Sequence, residues 1–288
     1  MRALAWLALG ALFAGCSVIG EIGAAPHPSR VGPPPADLGA ADVSVPTPVG
    51  APLAGWWLDA PDGAPSVVVL HGVTDSRLGM VRRARLLHAA GYGVLLVDLP
   101  GHGETPAEAH HDNPAGGIGF GWPERHAAAA AVGWTKRRRP HTRVGVIGVS
   151  LGGAAAVLAG PALNADALVL ESVYPSLRAA VGNRVRRLGP LAPLARRTVL
   201  SQVRSRLGVP PDSLRPVATI ARIQAPVLVL GGSADRSTPP AETRALFGAA
   251  PNGYAVWIVD GAGHQDLEQA APHAYRRRVL AFLDATLR

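Results

Sequence analysis

The sequence predicts an α/β protein in which a doubly wound, mostly parallel sheet is flanked by helices. Short apolar runs rich in β-branched residues alternate with longer segments rich in Ala, Leu and Arg. Buried strands joined by helical crossovers produce such an alternation. The 288 residues, 48% of them hydrophobic, suffice for the core of one domain. The predicted strands are residues 66–70, 93–98, 143–149, 167–171, 227–231 and 255–259, with a further edge strand indicated at 42–45.

Helices are predicted in the segments that separate and follow these strands. No internal repeat with the period of a solenoid is present, so a single domain is the simplest organisation. The predicted helices are residues 77–90, 124–136, 151–158, 240–249 and 272–287.

The chain is basic, with a formal net charge of +8 at pH 7. Such a charge permits contact with nucleic acid or with an anionic membrane but demonstrates neither. We expect no nucleic-acid partner.

The first residues have the pattern of an export signal. Arg2 precedes an apolar run at residues 3–13, which is too short to span a bilayer as a mature helix. The sequence Leu-Phe-Ala-Gly-Cys that ends at Cys16 resembles the lipobox of bacterial lipoproteins, in which the cysteine is lipidated. Cys16 is the only cysteine, so no disulfide competes for it. The alternative is an ordinary secretory signal in which the cysteine is incidental.

Three regions follow from this pattern: a signal peptide at residues 1–15, a tether at 16–49 and a folded domain at 50–288. The tether is predicted because proline, glycine and alanine are interleaved there without sustained apolar periodicity. The lipobox implies a protein exported to the cell envelope and anchored in a membrane through Cys16. Ser17 after the cysteine favours the outer membrane where the organism has one.

A candidate nucleophile lies at a predicted strand-to-helix corner. The strand at 143–149 runs into Gly148-Val149-Ser150-Leu151-Gly152, and an alanine-rich helix follows. Such a corner exposes a serine in a strained conformation, and its glycines remove side chains that would collide. The amide N–H groups of the following helix point at the charge that develops during attack on a carbonyl.

A serine needs a general base and an acid that orients it. His264 follows the last predicted strand in a loop of small residues, and Asp235 follows the preceding strand. Parallel strands present their carboxyl ends at one edge of the sheet, so we predict that both reach Ser150. Two other acids remain possible partners of His264, namely Glu171 at the end of an earlier strand and Asp266.

From about residue 51 to 288 the chain resembles the α/β-hydrolase superfamily. Besides the residues above, it carries His71-Gly72 after the strand at 66–70 and the run Asp-Leu-Pro-Gly-His-Gly at 98–103. The resemblance implies the α/β-hydrolase fold, and an oxyanion hole formed by the backbone N–H groups of Val73 and Leu151. It also implies that His71 and His102 are structural. Glu104 stands where relatives often carry a small residue.

The resemblance further implies a helical lid between the strands at 167–171 and 227–231, at about residues 176–222. This segment contains ten arginines and one acid, Asp212, so its net charge of +9 accounts for that of the whole chain. Leucines and valines interleave with the arginines, as in amphipathic helices. The basic face either contacts anionic lipid headgroups or an anionic substrate, or is simply solvated.

The predicted activity is hydrolysis of an ester-type bond in a small-molecule or lipid substrate through an acyl-enzyme. A peptidase or an acyltransferase would use the same triad, and a non-catalytic binding lipoprotein would share the fold. No cofactor is implied. His110, His111 and Asp112 form a polar cluster, but we expect no metal there.

Overall fold

The structure is a computed structural model that describes residues 25–264 and 267–288. Cys16 and Asp266, both named above, lie outside the described residues. Eight strands form the main sheet. They are β1 (Ala41–Val45), β2 (Leu53–Leu58), β3 (Ser66–Leu70), β4 (Gly93–Val97), β5 (Val144–Val149), β6 (Ala167–Glu171), β7 (Val227–Gly232) and β8 (Gly253–Val259).

The sheet order is β8-β7-β6-β5-β3-β4-β2-β1. The strands β3 to β8 pair in parallel, whereas β2 runs antiparallel to both β1 and β4. The predicted α/β fold with a mostly parallel sheet is therefore confirmed. The sequence analysis did not identify β2. Its residues are buried on both faces of the sheet, so it lacks the apolar-polar alternation that marks an exposed strand.

Helices cover both faces of the sheet. The five predicted helices are present. Those at 151–158, 240–249 and 272–287 have the predicted bounds, 124–136 extends to Arg138, and 77–90 divides into a 3₁₀ turn and α1. The helices are α1 (Val81–Ala89), α2 (Glu124–Arg138), α3 (Leu151–Leu158), α4 (Leu177–Val185), α5 (Ala192–Ser201), α6 (Val203–Leu207), α7 (Pro216–Thr219), α8 (Pro240–Ala249), α9 (Leu267–Ala270) and α10 (Pro272–Leu287). In the described part of the chain, no helix is both long and apolar enough to cross a membrane.

The core divides into two layers because successive residues of a strand point to opposite faces of the sheet. Val68 packs with residues of α2 and α3, while its neighbour Val69 packs with residues of α1 and α10. The adjacent tryptophans of β2 separate in the same way, with Trp57 in the first layer and Trp56 in the second. Both are core residues.

The segment assigned to a tether contains packed structure from residue 25 onward. His27–Pro28 pairs in parallel with His102–Gly103, Leu38 is buried, and β1 completes the edge of the sheet. The proline-rich composition concealed this packing because its partners lie far along the chain. This part of the proposed tether therefore lies against the folded domain.

The segment at 176–222, called the lid below, is helical and contains α4 to α7. It has an apolar cluster of its own beside the two main layers. The buried members are Leu177, Val181, Val185, Ala195, Leu200, Val203, Leu207 and Leu214.

A buried ion pair joins α1 to the end of β6, and α10, on the same face of the sheet, contributes a hydrogen bond to it. Arg83 of α1 donates to both carboxylate oxygens of Glu171, at 3.1 and 2.6 Å. The Tyr275 hydroxyl of α10 donates to the same carboxylate at 2.5 Å. Burial and the carboxylate raise the pKa of Tyr275 well above its ordinary value, so this donor keeps its proton.

Replacing Arg83 with alanine should destabilise the protein by about 3–5 kcal/mol, because Glu171 would remain as an unpaired buried charge. Urea denaturation measures this loss. Arg85→Ala is the matched control, since Arg85 also lies on α1 but pairs with Asp37 at the surface. Its expected cost is below about 1 kcal/mol. Equal costs in the two variants would contradict the stabilising role of the buried pair.

Candidate active site

Ser150 occupies the sharp turn between β5 and α3. Its backbone has φ 47° and ψ −105°, which a residue with a side chain rarely adopts. The Ser150 N–H donates to the Glu171 carbonyl at 2.8 Å, which fixes the turn against the end of β6. Such strain persists only where the surroundings enforce it.

The glycines of the turn are required by close backbone contacts. A Cβ on Gly148 would lie 2.5 Å from the Cα of Gly153, and a Cβ on Gly152 would lie 2.5 Å from the Leu70 carbonyl oxygen. Larger residues would force α3 away from the strand ends. The spacing in the sequence therefore reflects a geometric need.

His264 and Asp235 reach Ser150 from the ends of β8 and β7. The His264 Nε2 atom lies 3.0 Å from the Ser150 Oγ, and its Nδ1 lies 2.7 Å from the Asp235 Oδ2. An ionised carboxylate only accepts hydrogen bonds, so Nδ1 carries the proton and Nε2 is free to accept from the serine hydroxyl. The structure thus brings together the three residues that the sequence predicts.

The environment of Asp235 keeps its carboxyl ionised. Burial of the side chain is the largest single effect and would raise its pKa, but the hydrogen bond and the charge of His264 act against it. The Oδ1 atom also accepts the amide N–H groups of Ser237 and Thr238, each at 2.8 Å. Together these donors lower the pKa of Asp235 below its ordinary value.

Glu171 was another candidate acid partner of His264. In the structure it does not contact His264. Both of its carboxylate oxygens are bound by Arg83, and Tyr275 donates to one of them. Its backbone, rather than its side chain, serves the site through the hydrogen bond to Ser150.

The two predicted oxyanion donors lie beside the serine. Val73 and Leu151 line the same cavity as Ser150. Among the described residues, neither backbone N–H donates to a protein acceptor. Leu151 begins α3, where helix geometry leaves the amide unpaired and the helix dipole favours negative charge. Gly152 donates to the His71 carbonyl at 3.0 Å, which holds the loop of Val73 against α3.

His71 and His102 support the loops around the site. The His71 Nε2 accepts the Leu99 N–H at 2.9 Å, so its Nδ1 donates to the Gly72 carbonyl at 2.7 Å. Burial lowers the pKa of each imidazole to about 4, which keeps both rings neutral at ordinary pH. Neither ring hydrogen-bonds to Ser150 or His264.

An apolar cavity of about 530 Å³ opens over Ser150. Most of its wall is apolar, and two arginines of the lid also line it. The lining residues are His27, Val73, Thr74, Phe120, Ser150, Leu151, Tyr174, Leu177, Ala180, Val181, Arg184 and Arg187.

His27 reaches this cavity because Glu104 holds the N-terminal segment in place. The Glu104 Oε1 accepts the N–H groups of Val31 and Gly32 at 3.2 and 3.0 Å. Its Oε2 accepts from the buried Arg77 at 2.5 Å. Glu104, the acid after Gly-His-Gly, therefore holds the segment that carries His27 beside the cavity.

Glu124, which the sequence analysis did not single out, shapes another part of the wall. Its carboxylate accepts the N–H groups of Gly119 and Gly121 at 2.8 and 2.7 Å. Between them Phe120 has a positive φ of 54° and lines the cavity. Tyr174 donates from its hydroxyl to the Phe120 carbonyl. A Gly-Phe-Gly turn shortly before a helix with glutamate at its start was the available sequence signal.

The histidine cluster near residue 110 centres on Asp112. The Asp112 Oδ2 lies 2.6 Å from the His126 Nε2 and 3.3 Å from the His111 Nε2, and it accepts from Arg125 at 2.9 Å. Arg125 already pairs with the carboxylate that a metal ion would need as a ligand. Within residues 25–264 and 267–288, no group of three or more His, Cys, Asp or Glu side chains has a metal-binding arrangement.

The contribution of Glu124 to the stability of the fold should depend on pH. Burial raises the pKa of Glu124 to about 7, although its two amide donors act to lower it. Between its ordinary pKa of 4.5 and about 7, the folded protein binds more protons than the unfolded chain, so stability falls as pH rises. The free energy of unfolding of Glu124→Gln should fall less between pH 5 and pH 8 than that of wild type.

Urea denaturation across this pH range measures the difference. Glu108→Gln is the matched control because Glu108 is exposed. If the free energy of unfolding of Glu124→Gln changed with pH as steeply as those of the control and wild type, the raised pKa would be contradicted.

Known proteins resemble this chain over most of its length. The model of the alpha/beta hydrolase family matches residues 67–280. An uncharacterized protein of Mycobacterium tuberculosis is 32% identical over 231 residues, which cover 79% of this chain and 73% of that protein. The uncharacterized protein YqkD of Bacillus subtilis is 24% identical over 249 residues, which cover 83% of this chain and 78% of that protein.

Solved structures share the fold. The esterase Pf2001 of Pyrococcus furiosus superimposes with a TM-score of 0.71 at 24% identity, covering 91% of this chain and 100% of that one. A thermophilic esterase of Thermogutta terrifontis gives a TM-score of 0.56 at 19% identity, covering 86% and 100%. These findings support the predicted hydrolase, and the chain belongs to the α/β-hydrolase family.

Proposed function

We propose that the protein is a serine hydrolase that cleaves carboxyl esters through an acyl-enzyme intermediate. The observation that carries this proposal is the continuous hydrogen-bonded chain from Ser150 through His264 to Asp235. It opens into an apolar cavity that two unpaired backbone amides also line. Nucleophile, base, orienting acid and oxyanion donors thus converge on one point.

In the first half of the reaction, the Ser150 Oγ attacks the ester carbonyl while the His264 Nε2 takes the hydroxyl proton. Asp235 holds the imidazole in the correct tautomer and stabilises its cation. The amides of Val73 and Leu151 donate to the oxyanion of the tetrahedral intermediate. When this intermediate collapses, His264 returns the proton to the departing alcohol and an acyl-Ser150 ester remains.

In the second half, water replaces the alcohol at the same position. His264 takes a proton from the water as its oxygen attacks the acyl carbonyl, and the same two amides stabilise the new oxyanion. Collapse returns the proton to the Ser150 Oγ and releases the carboxylic acid. The apolar wall favours a hydrocarbon acyl or alcohol group, because burial of each methylene contributes about 0.8 kcal/mol.

The wild-type protein should hydrolyse 4-nitrophenyl esters, and Ser150→Ala should reduce kcat by at least about 10⁴-fold. Asp235→Asn should reduce kcat by about 10⁴-fold, because it stabilises the wrong imidazole tautomer. Release of 4-nitrophenolate under saturating substrate measures both losses. Ser205→Ala is the matched control, since Ser205 is exposed on the lid. It should retain wild-type turnover.

The same experiment separates the alternatives when aminopeptidase substrates and an alcohol acceptor are run alongside. Turnover of amides in preference to esters would instead establish a peptidase. Transfer of the acyl group to the alcohol in preference to water would establish an acyltransferase. A folded protein that turns over none of these substrates would establish a binding protein, and the hydrolase mechanism would be rejected.

We also propose that lipidation of Cys16 anchors the protein to the cell envelope, in the outer membrane where one exists. The lipobox-like sequence supports the anchor. The lid supports a second contact, with anionic lipid, because all residues at 186–191 are exposed. Leu188 and Leu191 project there, 36% and 50% exposed, beside Arg186. Exposed leucines flanked by arginines suit an anionic interface.

Protein expressed in a bacterium that processes lipoproteins should partition into the detergent phase of Triton X-114, and Cys16→Ala should move to the aqueous phase. The lipid-free Cys16→Ala protein should still sediment with vesicles of anionic phospholipid and not with neutral ones. Equal partitioning of both proteins would refute the anchor. Equal sedimentation with both vesicle types would refute the lid contact.

A further inference from the structure

The cavity over Ser150 is lined by two kinds of side chain. Most of the wall is apolar, formed by side chains such as Phe120 and Leu177. Two arginines of the lid also line it, Arg184 of α4 and Arg187 just beyond that helix. Both arginines are exposed residues, so solvent reaches this part of the wall. A substrate that filled the cavity would therefore contact both hydrocarbon and cations.

Unlike Arg178 of the same segment, these two arginines have no ion-pair partner among the described residues. Arg178 forms a two-pronged ion pair with Asp212, at 2.6 and 2.9 Å. Among the described residues, neither Arg184 nor Arg187 has a carboxylate within 4.0 Å. Arg184 makes only a hydrogen bond from Nη1 to the carbonyl of Ala180, at 3.0 Å. Most of the donor capacity of both guanidinium groups remains available.

Glu242 is the acid that interacts with Arg184 at longer range. Burial raises the pKa of the Glu242 carboxyl, the neighbouring Asp235 adds to this effect, and Arg184 acts against it. The Glu242 Oε1 accepts from the Asn183 side chain at 2.8 Å. Among the described residues, Glu242 forms no ion pair with Arg184 or Arg187.

A guanidinium group binds carboxylate or phosphate oxygens through two parallel hydrogen bonds. Beside an apolar wall, which excludes part of the water, its attraction for an anion exceeds that in bulk solvent. Two such groups on the wall of a mostly apolar cavity of about 530 Å³ would select a molecule that carries an anionic group in addition to its apolar part.

We propose that Arg184 and Arg187 form an anion subsite, and that the substrates are carboxyl esters with an apolar segment ending in a carboxylate or phosphate-type group. The inference rests on the proposed ester hydrolysis and adds the substrate class. The apolar segment occupies the cavity above Ser150. The anionic group lies beside Arg184 and Arg187, where the two guanidinium groups donate to it.

The test compares two soluble esters with the same acyl length. They are 4-nitrophenyl octanoate, which is neutral, and the mono-4-nitrophenyl ester of octanedioic acid, which ends in a carboxylate. Wild type should favour the anionic ester in kcat/KM. The double variant with Arg184→Gln and Arg187→Gln should reduce this preference roughly tenfold, as loss of a charge-assisted hydrogen bond at a partly exposed site predicts. Its kcat/KM for the neutral ester should fall much less than its kcat/KM for the anionic ester.

Arg204→Gln is the matched control, because Arg204 is an exposed lid arginine that does not line the cavity. It should keep the wild-type preference, which excludes a general effect of lid charge. Thermal unfolding establishes that all variants are folded. The preference should also weaken at high ionic strength, since exposed charges are screened. An analogue that ends in a phosphonate shows whether phosphate-type groups are preferred over carboxylate.

The outcomes distinguish this inference from the proposed function. If neither ester is hydrolysed by the folded wild type, the proposed function fails. If both esters are hydrolysed and the double variant keeps the wild-type ratio of kcat/KM, the anion subsite is refuted while ester hydrolysis stands. If Arg204→Gln lost the preference for the anionic ester as much as the double variant does, the subsite would also be refuted.

Discussion

The close packing of backbone where β5 turns into α3 is the constraint on which the rest of the site depends. Gly148 and Gly152 let the first turn of α3 approach both its own strand and the end of β3. Ser150 is thereby held at a positive φ, with its N–H bonded to the carbonyl of Glu171. The same approach directs the unpaired amide of Leu151 toward the place where negative charge would develop.

The parallel sheet supplies the remaining groups because its strands end at one edge. Asp235 and His264 follow neighbouring strands, and the loop after β3 carries Val73. The buried pair of Arg83 and Glu171 ties the helices on one face to the strand beside the serine. The site thus consists of loop residues on rigid supports, which is the arrangement that precise positioning requires.

The sequence alone predicted the sheet, most of its helices and the three residues that meet at Ser150, because these depend on local patterns and strand order. It did not predict β2, whose buried faces hide the alternation. Nor did it predict the wall of the cavity. His27 reaches the cavity through contacts made by Glu104, and Arg184 does so through the fold of the lid. Contacts between distant segments leave no periodic signal in the chain.

The most direct test of the account is to locate the site of covalent modification. After reaction of the folded protein with a fluorophosphonate, mass spectrometry of its peptides should place one phosphonyl adduct on Ser150. Prior denaturation should prevent labelling, because the hydroxyl is nucleophilic only beside His264. An adduct on another residue, or the absence of any adduct on folded protein, would contradict the assignment of Ser150 as the nucleophile.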